Sequence, residues 1–114
     1  MTLPEQAISV LRCTDAAATS EWYKRLGFKV EFEHRFGPTF PLFLGIVRGD
    51  IRLFLSEHQG DAVFHTLAYL RLHDLDAVAR EFEIEVIEQD WGREVHLVDP
   101  GGNRLRIGWP KNEP

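Results

Sequence analysis

The chain has 114 residues, 44% hydrophobic and 27% charged, which suits one domain with a packed core and a soluble surface. Its formal net charge of −5 argues against a general nucleic-acid binder, and no apolar run approaches the ~18 residues of a membrane span. The single cysteine, Cys13, excludes an intrachain disulfide framework; residues 1–6 lack a signal peptide's basic and apolar regions, so a cytoplasmic setting is expected.

Residues 7–13 read as a first strand, and Thr14 or Asp15 can cap the helix that follows. Thr19, Trp22, Tyr23 and Leu26 recur at helical spacing, and Gly27 suits the residue just past the helix end. In the second strand, Phe28 to His34, the residues Phe28, Val30 and Phe32 alternate with Lys29, Glu31 and Glu33. Arg35 to Pro41 is a loop with two prolines, a glycine and two phenylalanines, Phe36 and Phe40. Leu42 to Val47 and Ile51 to Glu57 are strands joined at Arg48-Gly49-Asp50. A linker over 58–64 follows.

The pattern then returns. Thr66 to Leu72 is a strand, His73 and Asp74 offer caps, and Leu75, Val78, Ala79 and Phe82 form a second helical stripe. Ile84 to Ile87 reads as a strand. Val95 to Val98 and Arg104 to Ile107 form a hairpin across Asp99-Pro100-Gly101-Gly102-Asn103, a dense turn signal. The order β-α-β-β-β thus occurs twice, over about 7–57 and 65–108, with a tail at 109–114. The expected fold is a single α+β domain: two βαβββ modules forming an open, strongly curved half-barrel sheet with a helix on each convex face.

Alternation assigns Leu11, Leu53, Leu55, Leu70, Leu72, Leu105 and Ile107 to the helix side. The concave face then holds Ile8, Val10, Arg12, Arg52, Phe54, Leu67, Tyr69, Arg71, Arg104 and Arg106; one bulge would flip a strand. Cys13 falls with Leu11 and reads as a buried, inert thiol. The five histidines show no zinc spacing, and His96, out of phase with Val95 and Leu97, reads as a hydrogen-bonded sheet residue able to face the cavity.

The paired modules, the Trp22-Tyr23-Lys24-Arg25-Leu26-Gly27-Phe28 stretch and the Asp99–Asn103 turn resemble the vicinal-oxygen-chelate superfamily, which includes glyoxalase I, extradiol dioxygenases, fosfomycin-modifying enzymes and bleomycin-resistance proteins. Trp91-Gly92-Arg93-Glu94 leading into Asp99-Pro100 and Asn103, with Thr66-Leu67-Ala68-Tyr69, resembles the bleomycin-binding branch most closely. In the superfamily's enzymes four concave-face residues hold a divalent metal. The matching positions here are Ile8, Phe54, Leu67 and Arg106, which offer hydrocarbon or a permanent cation instead of lone pairs. The resemblance therefore implies no metal, no other cofactor and no catalytic residue.

It implies instead a homodimer with a ligand groove at the subunit interface. Ring stacking would come from Phe32, Phe36 and Trp91, with Glu31 as an acidic contact; Phe40, Phe54, Tyr69, Arg71 and Arg106 complete the expected ligand-binding set. Arg71 and Arg106, if both point into the cavity, would favour a carboxylate or phosphate over a cationic glycopeptide. The expected function is sequestration, without chemistry, of a planar, partly charged small molecule such as a bleomycin-family antibiotic. The alternative is a metal-dependent glyoxalase, dioxygenase or thiol transferase of the same fold, distinguishable by metal content after dialysis.

Overall fold

A computed structural model describes residues 3–114; Met1 and Thr2, at the start of the segment expected to lack a signal peptide, lie outside them. The elements are β1 (Ser9–Arg12), α1 (Ala16–Lys24), β2 (Lys29–His34), β3 (Phe43–Arg48) and β4 (Ile51–Ser56), then β5 (Leu67–Arg71), α2 (Leu75–Phe82), β6 (Ile87–Glu88), β7 (Gly92–Val98) and β8 (Arg104–Pro110). The strands form two four-stranded sheets, ordered β1-β4-β3-β2 and β5-β8-β7-β6. In each, the module's first strand runs parallel to its fourth and the other pairs are antiparallel. The architecture is therefore α+β with two like modules and no closed barrel, as the repeated pattern predicts.

Local chemistry sets the element ends. The Asp15 carboxylate accepts from the Ala18 amide at 3.0 Å and starts α1. Gly27, at φ +87°, lets the chain leave that helix while the Phe28 amide donates back to the Tyr23 carbonyl at 3.2 Å. Asp74 sits at the cap of α2 but its side chain makes no cap bond; its carboxylate instead accepts from Arg48 Nη2 at 2.7 Å.

The strand expected at Ile84–Ile87 shrinks to Ile87–Glu88. Glu83 takes a left-handed φ of 54°, and the Ile84 amide is used up on the Ala79 carbonyl at 3.0 Å. The helix cap thus consumes the residues that alternation assigned to a strand. Conversely, β7 starts three residues before Val95, and β8 runs on through Trp109 and Pro110. Trp109 packs against the core and lies 4.1 Å, centroid to centroid, from the His73 ring.

The helix-side residues Leu11, Leu53, Leu55, Leu70, Leu72, Leu105 and Ile107 are all buried, and one continuous cluster joins both modules. Cys13 lies in it, fully buried, and burial pushes its thiol up to about 11, with the Glu57 charge adding to the shift. The modules are also sewn together by polar groups. Asp99 is buried; its Oδ1 accepts from the Gly101 and Asn103 amides, each at 2.9 Å, and its Oδ2 from the Tyr23 hydroxyl at 2.7 Å and Asn103 Nδ2 at 3.1 Å. Asn103 Nδ2 also donates to the Arg12 carbonyl at 2.8 Å. Burial first, and then the adjoining Asp99 charge, push the Tyr23 hydroxyl far above the usual phenol range, so it serves as a donor throughout. The Asp99–Asn103 turn is thus the bolt between modules as well as a hairpin turn.

One strand departs from simple alternation in a way that shapes the site. The β2–β3 register runs Lys29 to Val47, Val30 to Ile46, then Phe32 to Gly45, so a bulge falls at Glu31. Phe28 is buried on the helix side, but beyond the bulge Phe32 emerges on the opposite face, against Phe54. The expectation that Phe28, Val30 and Phe32 share a face is corrected accordingly.

Candidate functional site

The concave face of the first sheet is aromatic. Phe32 lies over Gly45, where any added Cβ would collide with the ring. The Phe32 centroid is 5.5 Å from Phe54, edge to face, and 6.3 Å from Phe43, stacked; Phe43 and Phe54 are 5.2 Å apart. Phe32, Phe54, Ile8, Glu31 and Arg52 line a hollow of about 620 Å³ that the Leu3–Gln6 segment borders. At its edge Arg52 grips Glu31 with two bonds of 3.0 Å, so this acid is already neutralised. That bond is the main cause holding the partly buried Arg52 guanidinium above its ordinary value.

A second hollow of about 320 Å³ adjoins it, lined by His34, Phe36, Phe43, His58 and Asp61. Phe36 is 71% exposed, with the His34 and His58 rings edge-to-face beside it. Phe40 is also exposed, but its carbonyl accepts from Arg35 Nη1 at 2.5 Å and its ring stands away from both hollows.

The concave face of the second sheet mixes rings and charges. Tyr69 and Trp91 lie 6.4 Å apart, and both occupy the space above Gly108 that a side chain there would need. Beside them Glu94 is fully buried. Its Oε2 accepts from Arg106 Nη2 at 2.6 Å, and its Oε1 from Arg106 Nε at 3.2 Å and meets His96 Nε2 at 2.7 Å. The Arg106 bonds, chiefly, hold this carboxyl below its ordinary 4.5, with His96 assisting against the cost of burial. The same pair raises the Arg106 guanidinium. Arg106 and His96, with Leu67, Val98 and Arg104, border a smaller hollow of about 140 Å³.

The nine residues expected to bind ligand therefore divide. Glu31, Phe32 and Phe54 share the first-sheet hollow, and Phe36 the one next to it. Tyr69, Trp91 and Arg106 gather on the second sheet. Arg71 lies apart, with Arg48, Asp50 and His73 beside the β3–β4 hairpin, so it does not join Arg106 in one cationic pocket. Arg12 is buried, donating to the Cys13 carbonyl at 2.9 Å, with its guanidinium 4.7 Å from the centre of the Phe64 ring.

Glu94, Phe43, Gly45 and Gly108 are site-forming residues that the sequence reading passed over. Glu94 was visible in principle: it lies two residues before His96, which pairs with Arg106 across β7 and β8. The two glycines carried a weaker signal, since a strand glycine marks close approach without saying by what.

The superfamily's four metal positions can be tested on donor chemistry. Ile8 and Phe54 line the first-sheet hollow, Leu67 and Arg106 the second-sheet one. None supplies a lone pair, and the carboxylates beside them, Glu31 in the first-sheet hollow and Glu94 on the second sheet, are each spent on a guanidinium. The residues do not fit a metal ion. No helix among the described residues is long and apolar enough to cross a membrane.

A family model described as "Glyoxalase superfamily protein" matches residues 2–113. The comparison with curated proteins gives no match. Among solved structures, a bleomycin resistance determinant encoded on the transposon Tn5 is 27% identical, with a TM-score of 0.75, over 95% of this chain and 99% of its own. A bleomycin-binding protein complexed with bleomycin is 28% identical, with a TM-score of 0.72, over 95% of this chain and all of its own. TnmS3, an antibiotic binding protein from Streptomyces sp. CB03234, shares the fold at 22% identity, with a TM-score of 0.73, over 97% of this chain and 99% of its own.

Proposed function

The chain belongs to the glyoxalase superfamily, and on that footing we propose that it sequesters a planar, partly charged small molecule of the bleomycin class by binding it, without chemistry. The observation that carries this reading is the pair of ring platforms: Phe32 with Phe43 and Phe54 over Gly45, and Tyr69 with Trp91 over Gly108. Flat, rigid, partly exposed rings standing on glycines stack on flat ligands at little entropic cost. The four positions where relatives with chemistry would need donors carry Ile8, Phe54, Leu67 and Arg106. The bleomycin-binding protein similar to this chain supports the ligand class.

The two platforms stand on different sheets of one chain. A homodimer that sets one copy's first sheet against another's second would enclose a ligand between both, and the exposed Phe32, Tyr69 and Trp91 give it an apolar surface to bury. Because Glu31 and Arg106 are each paired within the chain, neither fixes the ligand's charge. The cytoplasm, whose reducing conditions suit the lone thiol of Cys13, is the setting this reading adopts.

Tryptophan fluorescence tests it. Titration with a bleomycin-type glycopeptide and a panel of planar aromatic acids is expected to change emission saturably for one class, with the response lost in Trp91→Phe. Phe32→Ala, and Gly45→Ala that displaces the same ring, should each weaken binding about tenfold. A flat titration across the panel would overturn the proposal.

A further inference from the structure

The hollow beside the first platform shares Phe43 with it and has further walls, His34, Phe36, His58 and Asp61, that the platform does not include. The Phe36 ring stands perpendicular to two imidazoles: 87° to His34 at 4.6 Å and 88° to His58 at 5.9 Å, centroid to centroid. Phe43, opposite His34 in the β2–β3 register, supplies a further wall. Asp61 brings a carboxylate to the rim, and its Oδ2 is fixed by the Ser56 hydroxyl at 2.6 Å. Ser56 Oγ in turn accepts from the His58 amide at 3.1 Å, so the acid and the second imidazole belong to one ordered corner.

Rings set at right angles round a small space present several π faces and edges to one point. A cation at that point gains from the faces, and a nearby carboxylate adds attraction that an uncharged guest would not feel. A bare ammonium would lose too much hydration to enter. An alkylated cation, whose charge is spread over methyl groups, loses little and touches every wall. We infer that His34, Phe36, Phe43, His58 and Asp61 form a cage for an alkylated onium group, such as a trimethylammonium head.

The cage extends the proposed function by giving the sequestered molecule's charged portion a place. It rests on that reading only for the identity of the full ligand; the head group can be tested alone. The test uses choline and its uncharged carbon isostere, 3,3-dimethylbutan-1-ol, added to the intact protein while the ring proton signals of Phe36, His34 and His58 are followed by NMR. Choline is expected to shift these signals saturably, with the isostere at least about tenfold weaker. Phe36→Ala, which removes an exposed ring and should change amide shifts only near residue 36, should abolish the choline shift at His34 and His58, and Phe36→Tyr should retain it. Asp61→Asn should weaken choline several-fold and remove most of its salt dependence.

Equal response to both compounds, or none to choline, would overturn the cage. Choline binding with no response to the planar panel would defeat the sequestration reading and leave the cage standing. The reverse pattern would remove the cage alone.

Discussion

Asp99 shows how a residue readable as turn chemistry does a second job. The sequence signals Asp-Pro-Gly-Gly-Asn as a turn, and Gly102 at φ +85° with the Gly102 amide on the Asp99 carbonyl at 2.9 Å makes it one. Nothing in that local pattern says that the carboxylate also receives the Tyr23 hydroxyl from the other module. Tyr23→Phe should therefore destabilise the protein by about 1–2 kcal/mol, and Asp99→Ala by about 3 kcal/mol or more, since several buried donors then lose their acceptor. Urea denaturation measures both. A Tyr23→Phe variant as stable as the parent would show that the bolt contributes nothing. Glu94 behaves alike: its spacing from His96 places it on the face of Arg106, but a strand carboxylate is ordinarily solvated, and its burial under Arg106 and His96 comes from the fold.

At the scale of elements, period 2 located most of the concave and helix-facing residues, because long alternating strands such as β4 and β8 bury one face continuously. It failed where hydrogen bonding overrode side-chain pattern. The bulge at Glu31 re-aimed Phe32, and the α2 cap absorbed Ile84. The β7–β8 pairing also makes a pH prediction. Glu94 is held below its ordinary 4.5 in the folded state, mainly by Arg106. A lowered folded value means that its stabilisation is fully present above the unfolded carboxyl range and is lost as pH falls through the folded value. Glu94→Gln should thus be less stable than the parent at neutral pH, with the gap narrowing on acidification below about pH 4.5. Thermal melts at pH 7 and pH 3.5 decide it; a gap that widens in acid would contradict the assignment.

For the molecule as a whole, the duplicated β-α-β-β-β order was legible because the same periodicities recur twice in the chain, and two like four-stranded sheets follow from it. The expected ligand-binding residues are spread over both sheets: Glu31 and Phe32 line a hollow on the first, Trp91 and Arg106 stand on the second, and Arg71, also on the second, lines a separate hollow beside the β3–β4 hairpin. No alternation rule can tell which concave residues share a hollow, since that depends on how the two modules are set against each other. Here the setting is fixed by groups far apart in sequence: Tyr23 with Asp99, Arg48 with Asp74, and Arg25 with Glu81.

The central claim is that the platforms hold a ligand and leave it unchanged. Native mass spectrometry of the purified protein after incubation with a bleomycin-type glycopeptide reads bound mass and chain stoichiometry together. The account predicts one ligand of unaltered mass per chain, carried on a dimer, with binding indifferent to prior dialysis against a chelator. A ligand released with altered mass, or binding that disappears on chelation and returns with one divalent ion per chain, would contradict it.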